Sequence, residues 1–197
     1  MAEKEKLKGA ILQLRVEIVG IEPPIWRTVE VPEAMTLAGF HSVLQTLMDW
    51  HDAHLWIFEA NGRCYQAPDP EFEPSDQPSG DPKTTCLREV LPTKGAALLY
   101  TYDMGDNWDV DVRLLDASPP VDGLRYPHCL AGARCGPLED CGGIPGYEEL
   151  IEARRNPKRR GARELLKWAG KGWDPEAFDL AALNKALAGQ PVPRRLQ

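Results

Sequence analysis

The sequence predicts an α+β domain in which an antiparallel or mixed sheet, built from hairpins, is packed by one amphipathic helix and followed by a helical C-terminal segment. Three observations carry this prediction. Apolar and polar residues alternate in two pairs of segments, 11–19 with 25–31 and 97–102 with 108–115, which is the period of half-buried strands. One stripe at helical spacing (Leu37, Phe40, Val43, Leu44, Leu47 and Met48) lies between the pairs. From Pro145 onward helix start and stop signals take over. That order opposes the strand–helix alternation of a parallel α/β sheet.

Each element has a local reason. In the first strand Leu12, Leu14, Val16 and Ile18 form the apolar row, and Gln13, Arg15 and Glu17 the polar one. Residues 20–24 (GIEPP) break it; Ile25, Val29 and Val31 resume the alternation around Trp26, Thr28 and Glu30, and Pro32 ends the hairpin. Thr36 is placed to cap the helix. A third strand over 54–59 turns at Asn61-Gly62, a strong hairpin signal, into a short fourth over 63–66. Residues 86–91 fit one helical turn, and the hairpin 97–115 turns through residues 103–107 (DMGDN). Pro145 suits a first helical position, so a helix is expected as far as Arg155, where Asn156-Pro157 interrupts it. A basic helix follows over 159–169 and stops at Gly170-Lys171-Gly172. Asp174-Pro175 then predicts the cap and first residue of a last helix carrying Leu180, Leu183 and Leu187.

These boundaries imply a flexible N-terminus (1–10), a single domain (11–188) with its helical part at 145–188, and a flexible tail (189–197). Residues 68–82 hold five prolines and five acids, which excludes a helix or central strand and leaves an acidic loop, either a lid or a tolerated insertion. Hydrophobic content of 43% is that of a globular domain, and no apolar run approaches the ~18 residues of a membrane span. The charged N-terminus lacks a signal-peptide core, and five cysteines are too few and too odd for a disulfide framework. A cytoplasmic protein with no membrane partner is expected. Net charge is −7, yet residues 154–171 carry eight cations against Glu164 alone, or +7, leaving −14 elsewhere. Arg155, Lys158, Arg159, Arg160 and Arg163 are therefore candidate nucleic-acid contacts, against the plainer reading of a solvated helix face.

The stretch Tyr126–Tyr147 (YPHCLAGARCGPLEDCGGIPGY) has neither strand nor helix period and is expected to be an ordered functional loop. Cys129, Cys135 and Cys141, spaced C-x5-C-x5-C with His128 adjacent, are candidate zinc ligands, although structural zinc sites usually begin with a tighter pair. The competing reading is small buried cysteines packing a glycine-rich loop. Asp103 and Asp106 bracket a turn that their side chains can serve. With Glu139 and Asp140 they could instead hold Mg or Mn for phosphodiester hydrolysis, which makes these four the candidate catalytic residues. His51 and His54 flank Asp52 beside Trp50, a density of polar groups that a helix-to-strand junction also explains.

Several stretches together resemble the plasmid pRiA4b ORF-3-like family. They are LQLRVEIVGIEPPIWRTVEVP, TLAGFHSVLQTLMDW, HLWIFE, YTYDMGDNW, the 126–150 segment, and FDL with Asn184 near the end. The resemblance spans Ile11 to about Leu187. It implies a compact α+β fold found in bacteria and archaea, often on plasmids or beside mobile elements, with some members labelled as a passenger protein of an insertion element or as a resolvase. The resolvase label fits poorly, because Ser42, Ser75, Ser79 and Ser118 are the only serines and none lies near an N-terminal arginine cluster. The resemblance also implies a histidine, carried by many relatives, two residues after Trp108, where this chain has Val110. Two functions remain open: a non-catalytic binding or adaptor module, for nucleic acid or a protein partner, and a metal-dependent hydrolase of a phosphodiester or other anionic substrate.

Overall fold

A computed structural model describes residues 9–66 and 78–189 of the chain. Of the expected flexible segments 1–10 and 189–197, residues 1–8 and 190–197 lie outside the described residues, as do residues 68–77 of the acidic loop. The elements run β1 (Ile11–Ile18), β2 (Trp26–Pro32), α1 (Leu37–Met48), β3 (Trp56–Ala60), β4 (Arg63–Tyr65), β5 (Ser79–Gly80) and α2 (Leu87–Val90). They continue β6 (Ala97–Tyr102), β7 (Trp108–Ser118), β8 (His128–Ala133), α3 (Gly143–Arg155), α4 (Ala162–Ala169) and α5 (Leu180–Ala188). Among the described residues, eight strands form one sheet in the order β5-β4-β3-β6-β7-β1-β2-β8. All pairs are antiparallel except β4 with β5, so the fold is α+β. No helix among the described residues is long and apolar enough to cross a membrane.

The alternating pattern places Leu14 opposite Val29 and Leu12 opposite Val31, all buried on the face that receives α1. Thr36 caps α1 by accepting from the Gly39 N–H at 3.1 Å. Phe40 stacks on Phe58 at 6.2 Å and His41 on Trp56 at 4.3 Å, which seats the helix over β3 and β6. Leu37, Phe40 and Leu44 have no exposure, so each stabilises the fold by about 1.5–3 kcal/mol.

Three elements differ from expectation. Within the supposed loop, His128–Ala133 is an edge strand paired with β2, with a register shift at Thr28/Val29. Its pattern was invisible because Ala131, Gly132 and Ala133 carry too little side chain to mark two faces. The last helix is capped by Asp179, which accepts from the Ala182 N–H at 2.9 Å, rather than by Asp174. Asp174 instead receives Arg154 at 3.1 Å. The basic helix starts at Ala162, because Gly161, at φ 83°, ends the turn before it. The inward row of β2 also holds a charge: Arg27, between Ile25 and Val29, is buried.

Candidate functional site

The histidines, the carboxylates and the glycine-rich loop meet at one end of the sheet. His54 lies between α1 and β3, Asp103 follows β6 directly, and Asp140 sits in the loop between β8 and α3. Two close approaches lay that loop across the site. A side chain at Gly136 would come within 2.0 Å of the Met48 carbonyl oxygen, so only glycine lets the loop cross the end of α1. Gly143, at φ +65°, would place a Cβ 2.5 Å from the Asp106 carbonyl oxygen. The Asp106 side chain latches the same point by accepting from the Gly142 N–H at 3.1 Å. The buried Trp50 indole donates to the Pro137 carbonyl at 3.0 Å.

Asp103 divides its carboxylate between two tasks. Oδ1 accepts from the N–H groups of Gly105 (2.9 Å) and Asp106 (3.3 Å), the expected turn role. Oδ2 lies 3.6 Å from His54 Nε2, and Asp140 Oδ1 lies 3.3 Å from the same nitrogen. His54 Nε2 is shut off from solvent yet makes no hydrogen bond. Among the described residues, His54, Asp103 and Asp140 form the one group of three whose donor atoms all lie within 4.8 Å of one another.

Glu139 belongs to a neighbouring network. It accepts from the Tyr102 hydroxyl, from the His51 N–H, and from His51 Nδ1 at 2.7 Å. Burial works to raise its pKa, but the hydrogen bonds from Tyr102 and His51 prevail and hold it below the usual carboxylate value. An ionised Glu139 can only accept, so Nδ1 of His51 is the donor and Nε2 is the free nitrogen of this exposed ring. Burial, and the bond to Glu139, raise the Tyr102 hydroxyl, which also accepts from the Ala53 N–H at 3.0 Å. Tyr102 stacks on Trp50 at 4.7 Å, which fixes the network.

The four acidic candidates are thus gathered, but with unlike surroundings. Asp103 and Asp140 face His54, whereas Asp106 and Glu139 hold the loop and His51. The cysteine candidates are not gathered: no group of three donors among the described residues includes Cys129, Cys135, Cys141 or His128. Cys129 is buried on β8, where its sulfur donates to the Ala131 carbonyl, and burial raises its pKa and that of Cys135. Burial, then the Asp106 charge, pushes Cys141 up to about 12, so all three remain thiols near neutral pH. Val110, at the position where the family resemblance leads one to expect histidine, has no exposure on β7.

The cationic candidates lie at the far end of α3. Arg155, Lys158 and Arg160 are exposed, Arg159 donates to the Glu149 carbonyl at 3.3 Å, and Arg163 lines a groove with Arg154, Lys167 and Lys171. The sequence reading missed His54 as a donor and Arg27 as a buried charge. The cluster of two histidines around Asp52 was the signal for the first; for the second there was none.

Comparison with known proteins places this architecture. Residues 10–182 match the family described as "Plasmid pRiA4b ORF-3-like protein". The chain is 32% identical over 180 residues to the uncharacterized protein y4hQ of Sinorhizobium fredii (strain NBRC 101917 / NGR234), covering 91% of each. The crystal structure of MM3350 from Methanosarcina mazei Go1, titled a protein of unknown function, superposes with a TM-score of 0.80 at 36% identity. That match covers 88% of this chain and 97% of the other. With most of the chain matched by sequence and by fold, it belongs to the plasmid pRiA4b ORF-3-like family.

Proposed function

We propose that the protein is a metal-dependent hydrolase of a phosphodiester or another anionic substrate, with its cation held by His54, Asp103 and Asp140. The observation that supports this reading is the separation of the three donors. Ligands placed tetrahedrally at about 2.0–2.2 Å from an ion lie about 3.3–3.6 Å apart. His54 Nε2 stands 3.3 Å from Asp140 Oδ1 and 3.6 Å from Asp103 Oδ2, and the longer distance is beyond a hydrogen bond. One imidazole with two carboxylates suits Zn or Mn better than Mg. Three protein ligands leave a position for water or substrate, as catalytic sites require.

The cation would supply Lewis acidity toward a phosphoryl oxygen and a water acidic enough to attack near neutral pH. The rest is done by side chains. Asp103 is held rigid through its Oδ1 turn bonds, so Oδ2 stays aimed at His54. Asp140 is held by the latch of Asp106 on Gly142. His51, oriented by Glu139, presents an exposed Nε2 that can take or return a proton.

Thermal melts with added Zn or Mn test the site. Binding at one hundred times Kd contributes about 2.7 kcal/mol, a rise of roughly 5–10 °C for a chain of this size. Asp103→Asn keeps the turn acceptor and removes the charge, so the variant should fold normally and lose that rise. No stabilisation of the parent by either metal removes the reading. Metal-dependent hydrolysis of an aryl phosphodiester, lost in His51→Ala, supports catalysis. Metal binding without hydrolysis returns the protein to a binding module.

A further inference from the structure

We infer that the groove between the end of α3, α4 and the Trp173 segment is a docking site for single-stranded nucleic acid. The groove, about 770 Å³, is lined by Arg154, Arg163, Lys167 and Lys171 around the apolar Leu166 and Trp173. Its cations are largely unspent. Among the described residues Arg163, Lys167 and Lys171 form no ion pair, while Arg154 is held by the Trp173 carbonyl and Asp174. Arg163 and Lys167 stand one turn apart on the same face of α4, about 6 Å along the axis. That is the scale on which phosphates follow one another along a strand.

Charge alone would suit any polyanion, and two further observations narrow the partner. The groove has an aromatic floor, where Trp173 keeps a buried indole N–H without a hydrogen-bond partner. Cations flanking an aromatic ring are what a single strand requires, phosphates on the first and a base stacked on the second. The concentration is also local, since residues 154–171 carry +7 in a chain of net −7. The acidic remainder directs the approach of a polyanion towards this segment, four of whose eight cations line the groove.

This inference does not depend on the metal site, and its test is done in EDTA. Fluorescence anisotropy of a labelled twelve-nucleotide oligothymidylate is measured with the full chain between 50 and 200 mM salt. With three to four phosphates neutralised, log K should fall against log[salt] with a slope of about −2 to −3. The exposed, unpaired Arg163→Gln/Lys167→Gln double variant should lose about half of that slope and at least ~10-fold in affinity at the low-salt end. Trp173→Leu, its thermal melt checked first, should weaken binding with the slope unchanged, as for loss of a stacking partner. Lys83→Gln/Lys94→Gln, far from the groove, should bind like the parent. No saturable binding at 50 mM salt overturns the inference. So does a salt slope untouched by the double variant, or equal binding of polyglutamate, which would assign the groove to an acidic protein.

Discussion

Replacing Arg27 by methionine tests whether a buried guanidinium without a carboxylate partner stabilises this fold. Arg27 is 3% exposed. Its Nε donates to the Leu47 carbonyl at 3.2 Å, and its Nη1 to the carbonyls of Trp26 (2.7 Å) and Ala133 (2.8 Å). Its guanidinium carbon lies 4.8 Å from the centre of the Phe178 ring. Burial pushes its pKa down to about 10, and the neighbouring Cys129 and Cys135 only partly oppose that. At about 1.4 kcal/mol per tenfold change in proton affinity, keeping the charge buried costs about 3 kcal/mol. Because the group stays protonated at ordinary pH, that cost is always present. Against it, hydrogen bonds from a charged donor contribute about 1.5–3 kcal/mol each, and there are three. The bonds win by a few kcal/mol. Arg27→Met keeps the length of the stem and strips donors from carbonyls at the ends of α1 and β8, so a loss of about 2–5 kcal/mol is expected. Urea titration should show a lower midpoint with unchanged m, and Arg27→Lys should fall between. A methionine variant as stable as the parent would refute the reasoning, showing that desolvation outweighs the bonds as it does for many buried ion pairs.

Two more outcomes follow from the packing. Asn184 on α5 accepts from the Cys129 N–H at 2.8 Å and donates to the Cys129 carbonyl at 2.9 Å, imitating a neighbouring strand. Asn184→Leu should cost about 2–4 kcal/mol and bare the β8 edge, read as a lower urea midpoint and as concentration-dependent association in sedimentation. Burial holds His41 below its ordinary 6.5, despite the opposing Asp52. Asp52 is largely exposed, which screens it. The unfolded chain then binds the proton more readily, so stability should decline as pH falls from about 6.5 towards the folded value. His41→Gln should lack that component; an identical pH profile for parent and variant would refute it.

Most of the fold was legible because it is written in side-chain size. The rows Leu12–Ile18 and Trp108–Leu114, and the stripe Leu37–Met48, repeat with the period of the element they form. β8 was not legible, because its small residues leave no pattern and its pairing with β2 is a tertiary fact. Arg27 was hidden for the opposite reason. A charged residue between Ile25 and Val29 reads as solvent-facing, and only carbonyls brought by Leu47 and Ala133 make its burial tolerable. At the candidate site, composition singled out two loops that the fold brings together, carrying Asp103, Asp106, Glu139 and Asp140. It could not sort them, since which oxygen faces His54 depends on the latch between the 103–107 turn and Gly142. The cysteine spacing was the misleading cue: equal intervals in sequence became separate positions once Cys129 entered a strand.

The strand order has a consequence for how the chain assembles. The neighbours β1 and β7 are paired from Ile11 with Ser118 to Ile18 with Val110, so their seam joins segments on the order of 100 residues apart, a slow kind of closure. On either side lie units that can form early, the β1–β2 hairpin and the β3–β4 and β6–β7 hairpins. His54 and Asp103 ride on one side of that seam, whereas Asp140 arrives on the loop that follows β8, which is paired to β2 on the other. Their convergence therefore requires that seam to be closed: with β1 and β7 unpaired, the hairpins could stand while the three side chains stood apart.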